Sequence, residues 1–144
     1  MQIVLIRTKA DLYGMEDVDV DMRVAIYCRV GNPDQAESGA LERQKTELLQ
    51  YCKAQGYEVV DVLMEVRKSY EYPSIKIKQA MELIKTNQIE GIVVTDISKI
   101  SRNFDSYSHF NDFVCKHGGK LVEPKQGVID YAKIKLPVYE RKPR

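Results

Sequence analysis

The feature that most limits the fold is an alternation of two periodicities along the chain. Residues 22–30 (MRVAIYCRV) form a β-branched and aromatic run closed by Gly31, Asn32 and Pro33, which have turn character, so the run reads as a buried strand. From Glu37 or Ser38 the period changes. Leu41, Leu48, Leu49 and Cys52 recur at helical spacing, and Gly56 supplies the stop. Residues 57–66 (YEVVDVLMEV) are a second apolar strand, and Ile77, Ala80, Met81 and Ile84 mark one face of a second helix that frays at Asn87. Residues 91–95 (GIVVT) are a third strand. A third helix from about Asn103 carries Tyr107, Phe110 and Val114 and stops at Gly118 and Gly119, leaving 120–123 as a short fourth strand. Residues 2–6 are a weaker candidate for an extra edge strand.

Parallel strands joined by helical crossovers need both sheet faces covered, and these runs are apolar enough for that. The expected architecture is an α/β three-layer sandwich: a mainly parallel sheet of four to five strands with helices on both faces. In such sheets ligands bind beyond the carboxyl ends of the strands, so residues 29–34, the loop after Val66 and residues 96–102 are expected to share one rim.

With 144 residues, 44% of them hydrophobic, the chain can bury one core without staples. Its net charge of +1 excludes a polybasic protein held to DNA or membranes by a uniform field. The apolar run at 3–6 is too short for a signal core or a span, which needs roughly 20 residues. A cytoplasmic protein without membrane partners is expected. Charge is nevertheless uneven. In residues 1–21, Arg7 and Lys9 face Asp11, Glu16, Asp17, Asp19 and Asp21, while residues 120–144 hold seven Lys and Arg against three acids. The expected organisation is an acidic extension (1–21), an α/β domain (22–124) and a basic tail (125–144). Cys28, Cys52 and Cys115 lack CxxC spacing and read as buried, reduced thiols rather than a disulfide framework or metal site.

The strand period of two places Tyr27, Arg29 and Gly31 on one side. A buried Arg29 needs an anion, either a carboxylate of the protein or a phosphate of a ligand. Lys99 and Arg102, three residues apart, share one side of a helical turn and with Arg29 could clamp a phosphodiester. Ser98 and Ser101 add hydroxyls, read as helix caps before nucleophiles because the nearest histidine, His109, lies further along the third helix. A phosphate cradled by the Gly31 loop is a further reading, weakened by the absence of GxGxxG and GxxxxGK[ST].

The blocks RVAIYCRVGNPDQ, LERQKTELLQYCKAQGYEVV, YPSIKIKQAMELIK and GIVVTDISKISRN, in that order, resemble the catalytic domain of serine recombinases of the resolvase and invertase type. The resemblance runs from about residue 22 to about residue 137. It implies the fold above and an activity: a serine hydroxyl attacks a DNA phosphate, forming a covalent phosphoserine link inside a cluster of arginines, with no metal or other cofactor.

Carried over position by position, the family's chemistry is largely absent. Tyr27 and Arg29 match, but the nucleophilic serine falls on Gly31. The family's arginine before a helix-starting proline falls on Tyr72, and its Asp-Arg-Leu-x-Arg block falls on Ser98, Lys99, Ile100, Ser101 and Arg102, so the acid position is Ser98. Gln44 matches a polar position near the family's site. Glycine forms no ester, and lysine lacks the bidentate fork of arginine. The expectation is therefore a recombinase homologue, tied to a mobile element, in which no catalytic position is intact and Tyr27, Arg29, Gln44, Lys99 and Arg102 remain as phosphate- or DNA-binding remnants. Its expected partner is an active recombinase or a second copy of itself, with weak DNA contact. The family's long dimerising helix and base-reading module have no counterpart before Arg144, so base-specific recognition by this chain alone is not expected. The alternatives are an active strand-transfer enzyme whose nucleophile is Ser98 or comes from a partner, and a small-molecule or phosphate-binding domain.

Overall fold

The computed structural model describes residues 22–129; the strand expected at 2–6 and the tail from 130 onward lie outside the described residues. The elements are β1 (Arg23–Val30), α1 (Pro33–Glu37), α2 (Ala40–Gln55), β2 (Glu58–Val66), α3 (Ile75–Lys85), β3 (Gly91–Val93), a 3₁₀ turn (Ile97–Lys99), α4 (Phe104–Lys116), β4 (Lys120–Glu123) and β5 (Gly127–Val128). They build one five-stranded sheet in the order β2-β1-β3-β4-β5, parallel except for β5, which runs antiparallel to β4.

The helices divide between the faces as crossover handedness requires. The chain steps from β1 outward to β2, then back past β1 to β3 and on to β4. A right-handed crossover places its helix on opposite faces for opposite directions of travel. Accordingly α2 covers one face, where Leu48 and Cys52 pack on Val24, Ile26, Cys28, Val93 and Val122. On the other face α3 and α4 bring Ile77, Ala80, Ile84, Tyr107, Phe110 and Val114 against Ala25, Tyr27, Ile92 and Leu121. The three-layer α/β sandwich is the expected one. Among the described residues no helix is long and apolar enough to cross a membrane.

Caps explain the helix boundaries. The Ser74 side chain accepts from Ile77 N at the start of α3, and the Asn103 side chain accepts from Ser106 N at the start of α4. Gly119 follows α4 so closely against the core that a Cβ there would stand 2.7 Å from Ile84 Cδ1 and 3.0 Å from Val114 Cγ1.

Several expectations need correction. The first helix is two: Asn32 caps the short α1, and Gly39, at φ 88°, turns the chain before α2 begins at Ala40. Leu49, expected on the buried face, is 37% exposed. The apolar strand β2 is not covered on both sides but sits at the sheet edge, where Val60 and Val66 stay exposed. Val60 is the extra residue of a bulge, since Val24 pairs with Val59 and Ala25 with Asp61. Cys28 and Cys52 are buried free thiols, but Cys115 is exposed. β5 lies within the stretch read as a tail, so the sheet runs on past Glu123.

Candidate functional site

Because β2 and β3 flank β1 on opposite sides, the strand order reverses at β1, and a crevice opens where its carboxyl end meets that of β3. A cleft of about 330 Å³ lies there. Among the described residues four cations line it, Arg29, Lys68, Lys99 and Arg102, and no carboxylate does. All three expected rim segments contribute to it.

Arg29 is the floor, only 5% exposed. Its guanidinium donates to three backbone carbonyls: Nε to Lys99 O (2.9 Å), Nη1 to Arg67 O (3.0 Å) and Nη2 to Ser98 O (3.2 Å). Among the described residues it bonds no carboxylate, the protein anion that sequence reasoning held open. Burial first, and then the neighbouring Arg67, push the Arg29 pKa down. Lys99 is lowered by burial and then by Arg29. Among the described residues the lining holds no counter-charge, so these cations repel one another across the site.

The backbone around Arg29 is fixed by Gln44, reaching in from α2: Arg29 N donates to its Oε1 (3.1 Å) and its Nε2 donates to Arg29 O (2.8 Å). Gly31 also lines the cleft. Its N–H donates to Gln35 Oε1 at 2.8 Å, so it is not turned outward as a phosphate cradle. A Cβ on Gly31 would meet Gln35 Oε1 at 3.4 Å, an ordinary contact, and its φ is not left-handed. Space is thus not the reason for a glycine here.

Of the residues singled out from sequence, Arg29, Gly31, Gln44, Lys99 and Arg102 come together at the cleft. Tyr27, Tyr72 and Ser98 do not line it. Tyr27 faces the same side as Arg29 but is fully buried; its hydroxyl bonds Glu65 Oε2 and accepts from Arg67 Nε (2.9 Å). Burial raises the Tyr27 pKa. Tyr72 bonds His109 Nδ1 through its hydroxyl at 2.8 Å, and burial pushes its phenol up to about 12. Ser98 turns to Asp96, donating its amide to Asp96 Oδ1 at 2.8 Å. Burial would raise the Asp96 carboxyl, but the Ser98 hydroxyl and amide bring it below its ordinary value. Neither Ser98 nor Ser101 caps a helix by itself. Asp96 and Asn103 do, while the buried Ser101 hydroxyl accepts from Asn103 N (3.0 Å) and donates to Ser69 O (3.3 Å).

Sequence reasoning missed Arg67. It is 5% exposed and gathers the loops beneath the cleft. Its Nε bonds Glu65 Oε2 at 3.0 Å, and its Nη atoms donate to the carbonyls of Lys68, Ser69, Glu71, Lys99 and Ile100. Glu65 in turn accepts from Ser74 Oγ at 2.6 Å. The available signal was a charged residue directly after an apolar strand on the expected rim.

The resolvase N-terminal domain family matches residues 24–135. The chain belongs to that family. Solved structures similar to this resolvase-type domain include a resolvase family site-specific recombinase from Streptococcus pneumoniae, 26% identical with a TM-score of 0.65 over 81% of this chain and 80% of that one. Another is the C-terminal catalytic domain of ISC1926 TnpA, an IS607-like serine recombinase, 25% identical with a TM-score of 0.65 over 71% of this chain and 70% of that one. The N-terminal catalytic domain of TP901-1 integrase shares the fold, with a TM-score of 0.63 at 18% identity over 73% of this chain and 78% of that one. The domain is thus a resolvase-like serine recombinase domain.

Proposed function

We propose that this domain binds a DNA backbone phosphate without cutting it and serves recombination by joining a partner. The observation that carries the reading is the cleft itself: Arg29, Lys68, Lys99 and Arg102 converge there without a carboxylate among the described residues, and Gly31 stands where the resemblance places the attacking serine. Burial first and then neighbouring cations lower the Arg29 and Lys99 pKa values, and a phosphate would supply the opposite charge that offsets both. Without a hydroxyl at residue 31 no ester to phosphorus can form from that position. The partner is an active recombinase of the same mobile element or a second copy of this chain, met through helix surfaces.

The test combines a chemical and a binding measurement. Incubated with supercoiled plasmid and resolved under denaturing conditions, the protein is expected to leave no covalent adduct. Short duplex DNA should bind with a salt dependence that drops by about 2 in log–log slope when Lys99 and Arg102 are both replaced by alanine. An adduct, or a slope untouched by those substitutions, overturns the reading.

A working strand-transfer enzyme is the second reading, and one observation favours it. Ser69 brings a hydroxyl-bearing side chain to the cleft lining. Against it, no carboxylate or imidazole among the described residues lines the cleft to take its proton. Should an adduct form, its loss in Ser69→Ala, but not in Ser98→Ala, would assign the nucleophile.

A further inference from the structure

Tyr70 is 77% exposed, the most exposed large apolar side chain of the described residues, and it stands in the lining of the cationic cleft. An exposed ring usually gains by folding down onto apolar surface. Here the backbone holds it out. Arg67 Nη1 donates to the carbonyls on either side, Ser69 O (3.4 Å) and Glu71 O (3.2 Å). Ser101 Oγ holds Ser69 O from below (3.3 Å). The loop also closes on itself, with Lys68 N on Glu71 Oε1 (2.7 Å), Glu71 N on Lys68 O (3.0 Å) and Tyr72 N on Tyr70 O (3.1 Å). The tyrosine is therefore an aromatic face on a fixed mount, placed among Lys68, Lys99 and Arg102.

A flat ring beside clustered cations is the pairing that holds unpaired nucleotides: every base has a π-face to stack, and its phosphate finds the positive charge. Bases inside a duplex are already stacked on one another and cannot offer that face without being extruded. The cleft, about 330 Å³, has room for a single nucleotide rather than a double helix. We propose that the cleft takes an unpaired nucleotide, its phosphate among Lys68, Lys99 and Arg102 and its base stacked on Tyr70. This deepens the anion-site reading above and rests on it. A single-stranded segment and a free nucleoside phosphate present the same chemistry, and the experiment separates them.

The whole chain is titrated with a short oligothymidylate, with duplex of equal length, with thymidine monophosphate and with inorganic phosphate, all at one salt concentration. The single strand should bind more tightly than the duplex, and Tyr70→Ala should weaken it about 10-fold while leaving phosphate binding unchanged. Tyr70→Phe should retain affinity. The chain has no tryptophan. Tyr70→Trp therefore introduces a single reporter on an exposed side chain, and its fluorescence should be quenched when a base stacks. Competition by thymidine monophosphate against the oligonucleotide would name a free nucleotide as the source, and its failure to compete a strand. Equal affinity for duplex and single strand, or a Tyr70→Ala protein that binds oligothymidylate as the parent does, overturns this inference alone. Failure of every anion to bind overturns the anion site as well.

Discussion

Two arginines lie buried side by side below the same loops, each 5% exposed, and their partners differ in kind. Arg67 meets a carboxylate, Glu65 at 3.0 Å, as well as the Tyr27 hydroxyl and five carbonyls. Arg29 meets three carbonyls only. Both donate to Lys99 O, so they share a scaffold and not a charge balance. Partial dipoles satisfy the hydrogen bonds of a guanidinium but do not cancel its charge. Arg67 is thereby paired with a carboxylate and fastens loops together, whereas Arg29 touches no carboxylate among the described residues and faces whatever enters the cleft. Burial alone does not distinguish a structural cation from a binding one; the counter-charge does.

Replacing Arg67 by methionine should be the most damaging change, because it removes the ion-pair partner of Glu65 and a donor from five carbonyls at once. A loss of about 3–5 kcal/mol in urea unfolding is expected. A loss near zero would erase the contrast. Arg29→Met removes donors from three carbonyls but also removes the repulsion felt by Lys99, so about 1–3 kcal/mol is expected. Its distinctive effect is on ligand linkage. Phosphate at 100 times its Kd for the parent should stabilise the parent by about 2.7 kcal/mol and Arg29→Met by clearly less. If thermal shifts are equal in the two proteins, the charge of Arg29 is not what the cleft offers. Gly31→Ser should change stability least, within about 0.5 kcal/mol, since its Cβ meets only Gln35 Oε1 at 3.4 Å. On the proposed reading that variant should still form no plasmid adduct, because the resemblance places the family's acid and an arginine on Ser98 and Lys99. An adduct would overturn the proposed loss of cleavage and trace it to the side chain at residue 31 alone.

Most of the fold was legible because the elements that matter are long and strongly periodic. Leu48 and Cys52, or Tyr107, Phe110 and Val114, are spaced for one face, and Gly56, Asn103 and Gly118 punctuate them. What escaped is short or depends on neighbours. The edge position of β2 leaves no mark in YEVVDVLMEV, since an apolar run is compatible with one covered flank or two. β5 has two residues and exists only by pairing with β4. The site divides in the same way. Arg29, Lys99 and Arg102 were readable from their places beyond strand ends. Arg67 was not, because it acts through carbonyls of segments up to 33 residues away that only the folded chain brings near. Tyr70 was hidden for the complementary reason: an aromatic in a polar stretch declares nothing until its exposure is known.

The amide of Gln44 has a consequence for why there is a cleft at all. β1 extends beyond β3, whose last registered pair is Ile26 with Val93, so at Arg29 the neighbouring ladder has run out on that side. A carboxamide carries the same donor and acceptor as a peptide unit, and Gln44 presents both to Arg29. One side chain thus serves as a surrogate rung, letting a central strand outreach its neighbour without orphaned polar groups at the wall of the cleft.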